Sequence, residues 1–385
     1  MKKITALSLA ILLLVLSTAT ASDLSWYGKV RNYTGVLSSQ NFEYAMMQNT
    51  FDLSLEYYGT NSAFLVNPYF NYDFDKELTI NLREAYIDLY LEDADLRIGQ
   101  QKIIWGKANG AFITDVVSPK NLQEFLLPEF IEIRLGVTAL NLNYYKNDST
   151  YQLIWVPIFT PNTLPEEHSI WNVKEKDFSQ SADDIDISLK NSEIFARYSL
   201  YTPKVDFELM GGYMFDDEPT PIGGGEFTHY RTSIIGGSLS STLGDVIIRS
   251  EGALYNGKHV NASIEMDYLH YMVGLDYKIN GWNFSAQFIQ KVYLDYKDDN
   301  PDINKWQNTL TFMTNKEFLE NTLRLELFTY LEFNDLNALI RPKVTYDLSD
   351  DINLIFGSNI FLGDSGTFGQ FDDNDTIYAK IELSF

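Results

Sequence analysis

Polar and apolar residues alternate without exception over the last ten residues of the chain. The apolar set is Ile377, Ala379, Ile381, Leu383 and Phe385, and the set between them is Thr376, Tyr378, Lys380, Glu382 and Ser384. A period of two over this length predicts a β-strand whose two faces meet different surroundings. Roughly ten residues also suffice for a tilted strand to cross a bilayer. We therefore expect an amphipathic, membrane-spanning strand at this end of the chain.

The same alternation recurs at intervals of roughly twenty residues and predicts about eighteen strands. The predicted strands are 26–37, 41–58, 63–74, 78–91, 96–107, 133–146, 150–158, 192–202, 205–216, 227–242, 245–257, 265–279, 281–296, 304–314, 321–333, 336–347, 351–362 and 374–385. A count of about sixteen is the alternative, because the connection at 315–320 is longer than its neighbours. Between Leu82 and Ala85 the apolar set changes phase, which predicts either a β-bulge or a strand that extends beyond the bilayer.

Connections of two lengths alternate along the chain. Those after even-numbered strands are mostly short, and the long ones follow odd-numbered strands: 107–132, 159–191, 217–226, 258–264, 297–303 and 363–373. An even strand count with short turns at one end and long loops at the other is typical of an outer-membrane barrel. The predicted fold is therefore all-β, a transmembrane antiparallel β-barrel with short periplasmic turns and long extracellular loops. In this fold the last strand pairs with 26–37.

The N-terminus has the pattern of an export signal. Two lysines follow Met1, residues 4–16 are apolar, and Ala19-Thr20-Ala21 forms a small-residue cleavage site. This pattern predicts a secretory signal peptide over 1–21 that is cut after Ala21. Residues 22–385 are expected to form one barrel domain in the outer membrane of a Gram-negative bacterium.

Composition narrows the functional classes. Aromatic residues make up 15% of the chain, the formal net charge is −24, and cysteine is absent. The negative charge argues against nucleic acid as a partner. The lack of cysteine excludes disulfides and thiolate metal sites.

A dense motif lies on the central strands and the loop after them. It runs from Gly99-Gln100-Gln101 through Trp105-Gly106-Lys107-Ala108-Asn109-Gly110 to Pro128, and Arg83-Glu84-Ala85-Tyr86 precedes it. These residues resemble the bacterial outer-membrane porin-like family known as domain of unknown function 1302, over residues 83–158. Gln100 stands where the family has an arginine, so that residue's role is not carried over. Alginate-export channels look similar around Gly99–Gln101 but lack the continuation. The resemblance implies an outer-membrane barrel.

The long connection 107–132 is too apolar for a free surface loop. Gly110, Pro119 and Pro128 interrupt it. A barrel of this strand number would otherwise enclose an open channel. We expect the segment to fold into the lumen or cap its mouth, and the alternative is an apolar patch against neighbouring loops outside. Candidate constriction residues are Trp105, Asp115 and Phe125.

Charged residues on the inward faces concentrate near the closure between the first and last strands. They are Lys29, Arg31, Arg324, Arg341, Lys343, Lys380 and Glu382. One hypothesis is that the cations guide anionic or polar solutes along one wall. The other is that they pair with Glu326, Asp347 and Glu382 and stabilise the lumen.

The sequence indicates no catalytic site. The four histidines lack zinc-like spacing, and no nucleophile motif accompanies His270. Loop acids Asp177, Asp183, Asp184 and Asp186 match no calcium-loop spacing. We expect no cofactor.

The expected function is an outer-membrane, porin-like channel for passive passage of small or hydrophobic solutes. The alternative is a component of a lipid or hydrophobic-compound export or uptake system without an open pore, and a hydrolase is the least favoured. Expected partners are outer-membrane lipid and lipopolysaccharide, and the barrel-assembly machinery through the strand ending in Phe385. Oligomers are an open alternative.

Overall fold

Eighteen antiparallel strands form one closed sheet in the computed structural model, which describes residues 24–74, 78–173, 185–297 and 304–385. In chain order the barrel strands are β1 (Leu24–Leu37), β2 (Tyr44–Tyr58), β3 (Ser62–Asp73), β4 (Thr79–Tyr90), β5 (Ala94–Gln101), β6 (Val137–Lys146), β7 (Ser149–Val156), β8 (Glu193–Tyr201), β9 (Val205–Phe215), β12 (Arg231–Leu243), β13 (Val246–Asn261), β14 (Ile264–Ile279), β15 (Trp282–Tyr293), β16 (Trp306–Phe318), β17 (Leu323–Glu332), β18 (Asn337–Ser349), β19 (Ile352–Leu362) and β20 (Thr376–Ser384). The predicted signal peptide and the acids Asp177, Asp183 and Asp184 lie outside the described residues.

The remaining structure is small and lies in the connections. A separate hairpin follows β9 and consists of β10 (Thr220–Gly223) and β11 (Glu226–Thr228). Short helical turns occupy Leu189–Asn191, Gly366–Gly369 and Asp372–Asn374. Over the described ranges, no helix has the length and apolar character needed to cross a bilayer.

The sheet closes where β1 meets β20. Lys29 pairs with Ser384 and Leu37 pairs with Thr376 in an unbroken antiparallel register. Since β1 also pairs with β2, the first strand has a neighbour on each side and the sheet has no free edge there. The prediction of eighteen strands closed by the last one is confirmed, and the alternative of sixteen is wrong.

Alternation along each strand separates an apolar outer face from a buried inner one. On β20, Ile377 and Ile381 are 50% and 52% exposed, whereas Tyr378 and Lys380 are 5% and 7% exposed. Successive side chains of a strand point to opposite faces, so the exposed aliphatic residues lie outside the barrel and the charged residues inside. The amphipathic interpretation of the last strand is confirmed.

The connections sort by end, with two corrections. One end of the barrel has short turns, which follow β2, β4, β6, β8, β12, β14, β16 and β18. We call it the turn end, and we call the opposite end the loop end. The connection predicted at 315–320 is misplaced and lies at 319–322, because β16 continues to Phe318, but it is longer than the other turns, as predicted. The predicted long loop at 258–264 is wrong, because β13 continues to Asn261 and β14 begins at Ile264. The side-chain oxygen of Asn261 accepts hydrogen bonds from the backbone N–H groups of Ser263 and Ile264, at 2.9 and 3.0 Å, and these bonds close a tight turn.

The phase change in β4 is a β-bulge. Glu84 pairs with Asn67 and Leu82 pairs with Pro68, so Arg83 has no partner of its own. Pro68 carries no N–H, so the interrupted ladder leaves no donor unpaired at that position. The bulge prediction is confirmed.

The strands on either side of the long connection are shorter than predicted. β5 ends at Gln101 rather than 107, and β6 begins at Val137 rather than 133. After Gln101 the backbone N–H groups turn to side chains: Ile103 N donates to Ser118 Oγ at 2.8 Å. The connection therefore covers residues 102–136, and we call it the β5–β6 segment.

Candidate functional site

The β5–β6 segment contacts two opposite walls of the barrel. Residues 106–114 contact β13 and β15, and residues 124–132 contact β1, β2 and β18. In the ring of eighteen strands β2 and β13 stand opposite each other. The segment is thus anchored at both sides of the interior.

A buried wall carboxylate organises the first anchor. Glu251 of β13 is 4% exposed and accepts backbone N–H bonds from Lys107, Ala108 and Thr114, at 2.5, 2.9 and 2.8 Å. The hydroxyl of Thr114 donates to it as well, at 2.7 Å. Burying a carboxylate is costly unless its oxygens are satisfied, and here four donors of the segment satisfy them.

Two glycines permit this close approach. Both Gly106 and Gly110 have a φ of 83°, in the left-handed region that disfavours residues with a Cβ. A Cβ on Gly106 would lie 2.5 Å from Glu251 Oε1, and one on Gly110 would lie 2.8 Å from the Tyr330 hydroxyl. Glycine is required at both positions by conformation and by space.

Asn109 completes the first anchor by pairing with the side-chain amide of Gln287 on β15. Its N–H donates to Gln287 Oε1 and its carbonyl accepts from Gln287 Nε2, each at 2.9 Å. The Tyr255 hydroxyl of β13 also donates to the carbonyl of Ile113, at 2.7 Å. In a sheet these backbone N–H and C=O groups would bond to a neighbouring strand. Here they bond to side chains of the barrel wall instead.

Trp105 and Asp115 lie together within the segment. Trp105 is 2% exposed and donates its indole N–H to Gln152 at 3.0 Å. Asp115 accepts the Trp105 backbone N–H at 3.2 Å and pairs with Arg134 at 2.6 Å. Both predicted site residues thus hold the fold of the segment. Around them the segment and the inward residues of β6–β15 form one hydrophobic cluster, which includes Ile113, Val117, Phe195, Tyr255 and Met272.

The second anchor joins the segment to the closure between β1 and β20. Arg31 pairs with Glu132 at 2.9 Å, and Lys29 pairs with Glu132 at 3.3 Å and with Glu382 at 3.6 Å. Burial acts to raise the pKa of Glu132, but the charges of Arg31 and Lys29 outweigh it and lower that pKa to about 2. Glu132 is therefore ionised across the whole neutral range.

β18 provides the other cations of this anchor. Lys343 pairs with Glu129 of the segment at 3.0 Å and with Glu326 of β17 at 2.9 Å. Arg341 donates to the carbonyls of Leu126 and Leu127, at 3.1 and 2.6 Å. Burial acts to raise the pKa of Glu129, but Lys343 outweighs it and the pKa is lowered. β18 thus binds the segment by charge and by hydrogen bonds.

The cations of this wall are matched by acids. Lys380 is buried with its ammonium 4.3 Å from the centre of the Tyr33 ring. Glu124 accepts a hydrogen bond from Gln48. Five cations, which we call the basic wall, lie close to five acidic side chains: Lys29, Arg31, Arg341, Lys343 and Lys380 beside Glu124, Glu129, Glu132, Glu326 and Glu382. Three of the five acids belong to the β5–β6 segment.

Arg324 does not join the basic wall. It lies near the turn end, half-exposed, and pairs with Glu317 of β16 at 3.4 Å. Its position on β17 follows the inward alternation, but it sits one residue from the start of that strand. The structure therefore separates Arg324 from the other predicted lumen cations.

Phe125 lies at the loop end in an aromatic cluster. Its ring centre is 4.7 Å from that of Phe371 and 6.0 Å from that of Phe368, both in the connection between β19 and β20. Trp171, from the connection between β7 and β8, contacts Phe371 at 5.7 Å. Three long connections therefore meet over the basic wall.

Sequence reasoning missed the acids that hold the segment. Glu129 and Glu132 lie in an apolar stretch of the sequence, where a buried charge needs a partner. Their presence there could have predicted ion pairs between the segment and the barrel wall. Glu251 lies on β13 among apolar and small residues, and the sequence does not reveal which backbone it would meet. Among the described residues, no group of three or more histidines and acids is placed to hold a metal ion.

Comparison with known proteins identifies the fold. No family model matches the chain, and no curated protein does. Pseudomonas aeruginosa OccK2 (OpdF), in complex with glucuronate, is similar with a TM-score of 0.61 at 10% identity, over 94% of this chain and 98% of that one. P. aeruginosa OpdK with vanillate has a TM-score of 0.60 at 8% identity, over 95% and 100%. A BenF-like porin from Pseudomonas fluorescens Pf-5 has a TM-score of 0.59 at 10% identity, over 94% and 98%.

Proposed function

We propose that the protein is an outer-membrane channel for the passive passage of small solutes, and that the β5–β6 segment forms its constriction. The observation that carries this proposal is the anchoring of one segment to opposite walls of a closed barrel. Such a segment narrows the lumen, and the proposed passage runs beside it, along the basic wall. The membership in domain of unknown function 1302 stays a prediction.

The residues on the outer surface of the barrel support a location in a membrane. Exposed aliphatic residues cover the outward faces, and aromatic residues lie at the turn end, where Trp26 and Phe385 are in contact at 5.7 Å. An apolar band with interfacial aromatic residues suits a bilayer. The solved barrels with the same fold support the outer membrane of a Gram-negative bacterium, with the turn end and both termini in the periplasm. Lipid and lipopolysaccharide are then the surrounding partners.

Small organic solutes that carry a carboxylate are the proposed class. Glucuronate and vanillate, bound in two of the similar structures, are both small carboxylates. In this chain Arg341 donates to neutral oxygens, so its guanidinium can exchange a carbonyl for a carboxylate of a solute. A channel lined by such groups selects by charge at close range.

The test is single-channel recording in planar bilayers of the full chain and of a variant that lacks residues 111–128. We expect a defined conductance for the full chain and a larger one for the deletion. An equal conductance in the two would contradict the constriction. No conductance in either would instead favour a component of a lipid or hydrophobic-compound transport system without an open pore.

A further inference from the structure

A cavity of about 170 Å³ lies between the β5–β6 segment and the wall formed by β16, β17, β18 and β20. Its apolar lining comes from both sides: Phe130 and Pro128 from the segment, and Met313, Phe328 and Tyr330 from the wall. The size suits a body of about one ring, since an apolar cavity of roughly 150 Å³ can hold benzene.

One pole of the cavity is negative. Glu326 and Lys343 are direct partners in the register of β17 and β18, and Glu129 contacts the same ammonium from the segment. Two carboxylates thus share one ion-paired cation, so this pole has more acids than ion-paired cations. An ammonium group of a solute would complete this pairing.

The other pole is positive. Arg341 stands opposite Phe328 in the register, two residues from Lys343 on the same face of β18. Its partners are the carbonyls of Leu126 and Leu127 and the side-chain oxygen of Asn359. These partners are neutral oxygens, and the guanidinium lies about 7 Å along the strand from the negative pole.

We infer that this cavity binds a small solute that carries both a carboxylate and an ammonium group on an apolar body. The inference rests on the proposed channel function and narrows its solute class. A simple anion at Arg341 would lie close to Glu129 and Glu326, which repel it. A simple cation would meet Arg341. A zwitterion would place its ammonium group at the negative pole and its carboxylate at Arg341, and it would add no net charge to the cavity.

The test compares three solutes with one common body at pH 7. Phenylalanine carries both charges, 3-phenylpropanoate only the carboxylate, and 2-phenylethylamine only the ammonium. Each is titrated against the ionic current of the full chain in planar bilayers, and the half-blocking concentration is measured. Because each charge-assisted bond adds affinity, we expect phenylalanine to block at a concentration about tenfold lower than either analogue.

A matched pair of variants assigns the effect to the cavity. E326Q removes one carboxylate of the negative pole and should raise the half-blocking concentration of phenylalanine about tenfold, but not that of 3-phenylpropanoate. E317Q removes a carboxylate of β16 that pairs with Arg324 outside the cavity, and it should change neither.

Two results would overturn the inference. Block by 3-phenylpropanoate at a concentration equal to or lower than that of phenylalanine would show that the site takes simple carboxylates, and the channel function would stand. Absence of ionic current in the full chain would remove the channel function and this inference with it.

Discussion

Thr114 of the β5–β6 segment and Glu251 of β13 are joined twice, by the backbone N–H at 2.8 Å and by the hydroxyl at 2.7 Å. Two further backbone donors of the segment, at Lys107 and Ala108, reach the same carboxylate. A single side chain of the barrel wall therefore accepts four hydrogen bonds from the turn at 106–114.

Replacing Glu251 by alanine is expected to loosen this turn. Three backbone N–H groups, one buried and two partly buried, would lose their acceptor, at a cost of about 1–3 kcal/mol for each one that water does not reach. We expect a larger and noisier single-channel conductance in planar bilayers. The far-UV circular dichroism spectrum should keep its β-sheet form, because the strands do not depend on these bonds.

E208A is the matched control. Glu208 of β9 is also 4% exposed, but its hydrogen-bond partners, such as Ser238 at 2.8 Å and Tyr201 at 3.0 Å, lie on the strands. Its conductance should stay near that of the wild type. If both variants changed the conductance alike, the anchoring role of Glu251 would be wrong.

The balance of charge along the basic wall predicts ion selectivity. E132Q removes one carboxylate and leaves Arg31 in excess, so the permeability ratio should shift toward anions, by about twofold or more. R31Q removes the cation of the same pair and should shift the ratio toward cations. Reversal potentials under a potassium chloride gradient measure both. Shifts of the same sign in the two variants would contradict this pairing.

Asp217, in the connection after β9, predicts a pH dependence of stability. Burial raises its pKa to about 7, although Lys120 of the segment, 3.6 Å away, acts to lower it. The folded protein thus holds this proton more tightly than the unfolded chain. The resulting stability is present below the ordinary pKa of about 4 and is lost as the pH rises through about 7.

We therefore expect a lower thermal unfolding midpoint at pH 8 than at pH 5. D217N cannot ionise, so it should raise the midpoint at pH 8 and narrow the difference between the two pH values. An unchanged difference in D217N would assign the pH dependence to other groups.

The aromatic cluster at the loop end predicts a local loss of order. F125A removes the ring that contacts Phe371 and Phe368, at a cost of about 2–4 kcal/mol, less than for a fully buried phenylalanine. We expect faster proteolysis of the loops at that end and an unchanged strand content. Equal proteolysis rates in F125A and the wild type would show that the three connections do not depend on one another.

The last residue predicts an effect on assembly. Phe385 stacks on Phe51 at 5.9 Å and exchanges two backbone hydrogen bonds of 3.0 Å with Gly28. We propose that the barrel-assembly machinery recognises this end. F385A should lower the amount inserted in the outer membrane severalfold, while refolding of the purified chain in detergent proceeds. L383A, on the same outer face, is the control.

Strands were predictable because a barrel wall imposes a period of two, and β20 shows it without a break. The eighteen strands and the bulge at Arg83 followed from this local pattern. The end of β5 did not. Ile103 and Trp105 continue the alternation, but their N–H groups bond to Ser118 and Asp115 instead of a neighbouring strand. Periodicity reports which face is buried and not which partner accepts the hydrogen bond.

The site was predictable only in part. Arg31, Arg341, Lys343 and Lys380 alternate with apolar residues, and the structure has their side chains on the inner side of the strands. Their partners in the segment were not predictable, because an ion pair such as Arg31–Glu132 joins residues far apart in sequence. Glu251 was missed for the same reason. Long-range contacts follow from the path of a loop, and a local pattern does not determine that path.

The pairing of β1 with β20 joins the first and last strands of the barrel. Bringing such distant residues together carries the largest loop-closure entropy in the molecule, and contacts of high sequence separation form slowly. Neighbouring strands that are consecutive in sequence can pair first, across their short turns, well before β1 meets β20. Until then β1 and β20 both present unpaired edges, which are templates for aggregation. Until Leu37 and Thr376 pair, these two edges are therefore the part of the sheet most open to pairing with another chain.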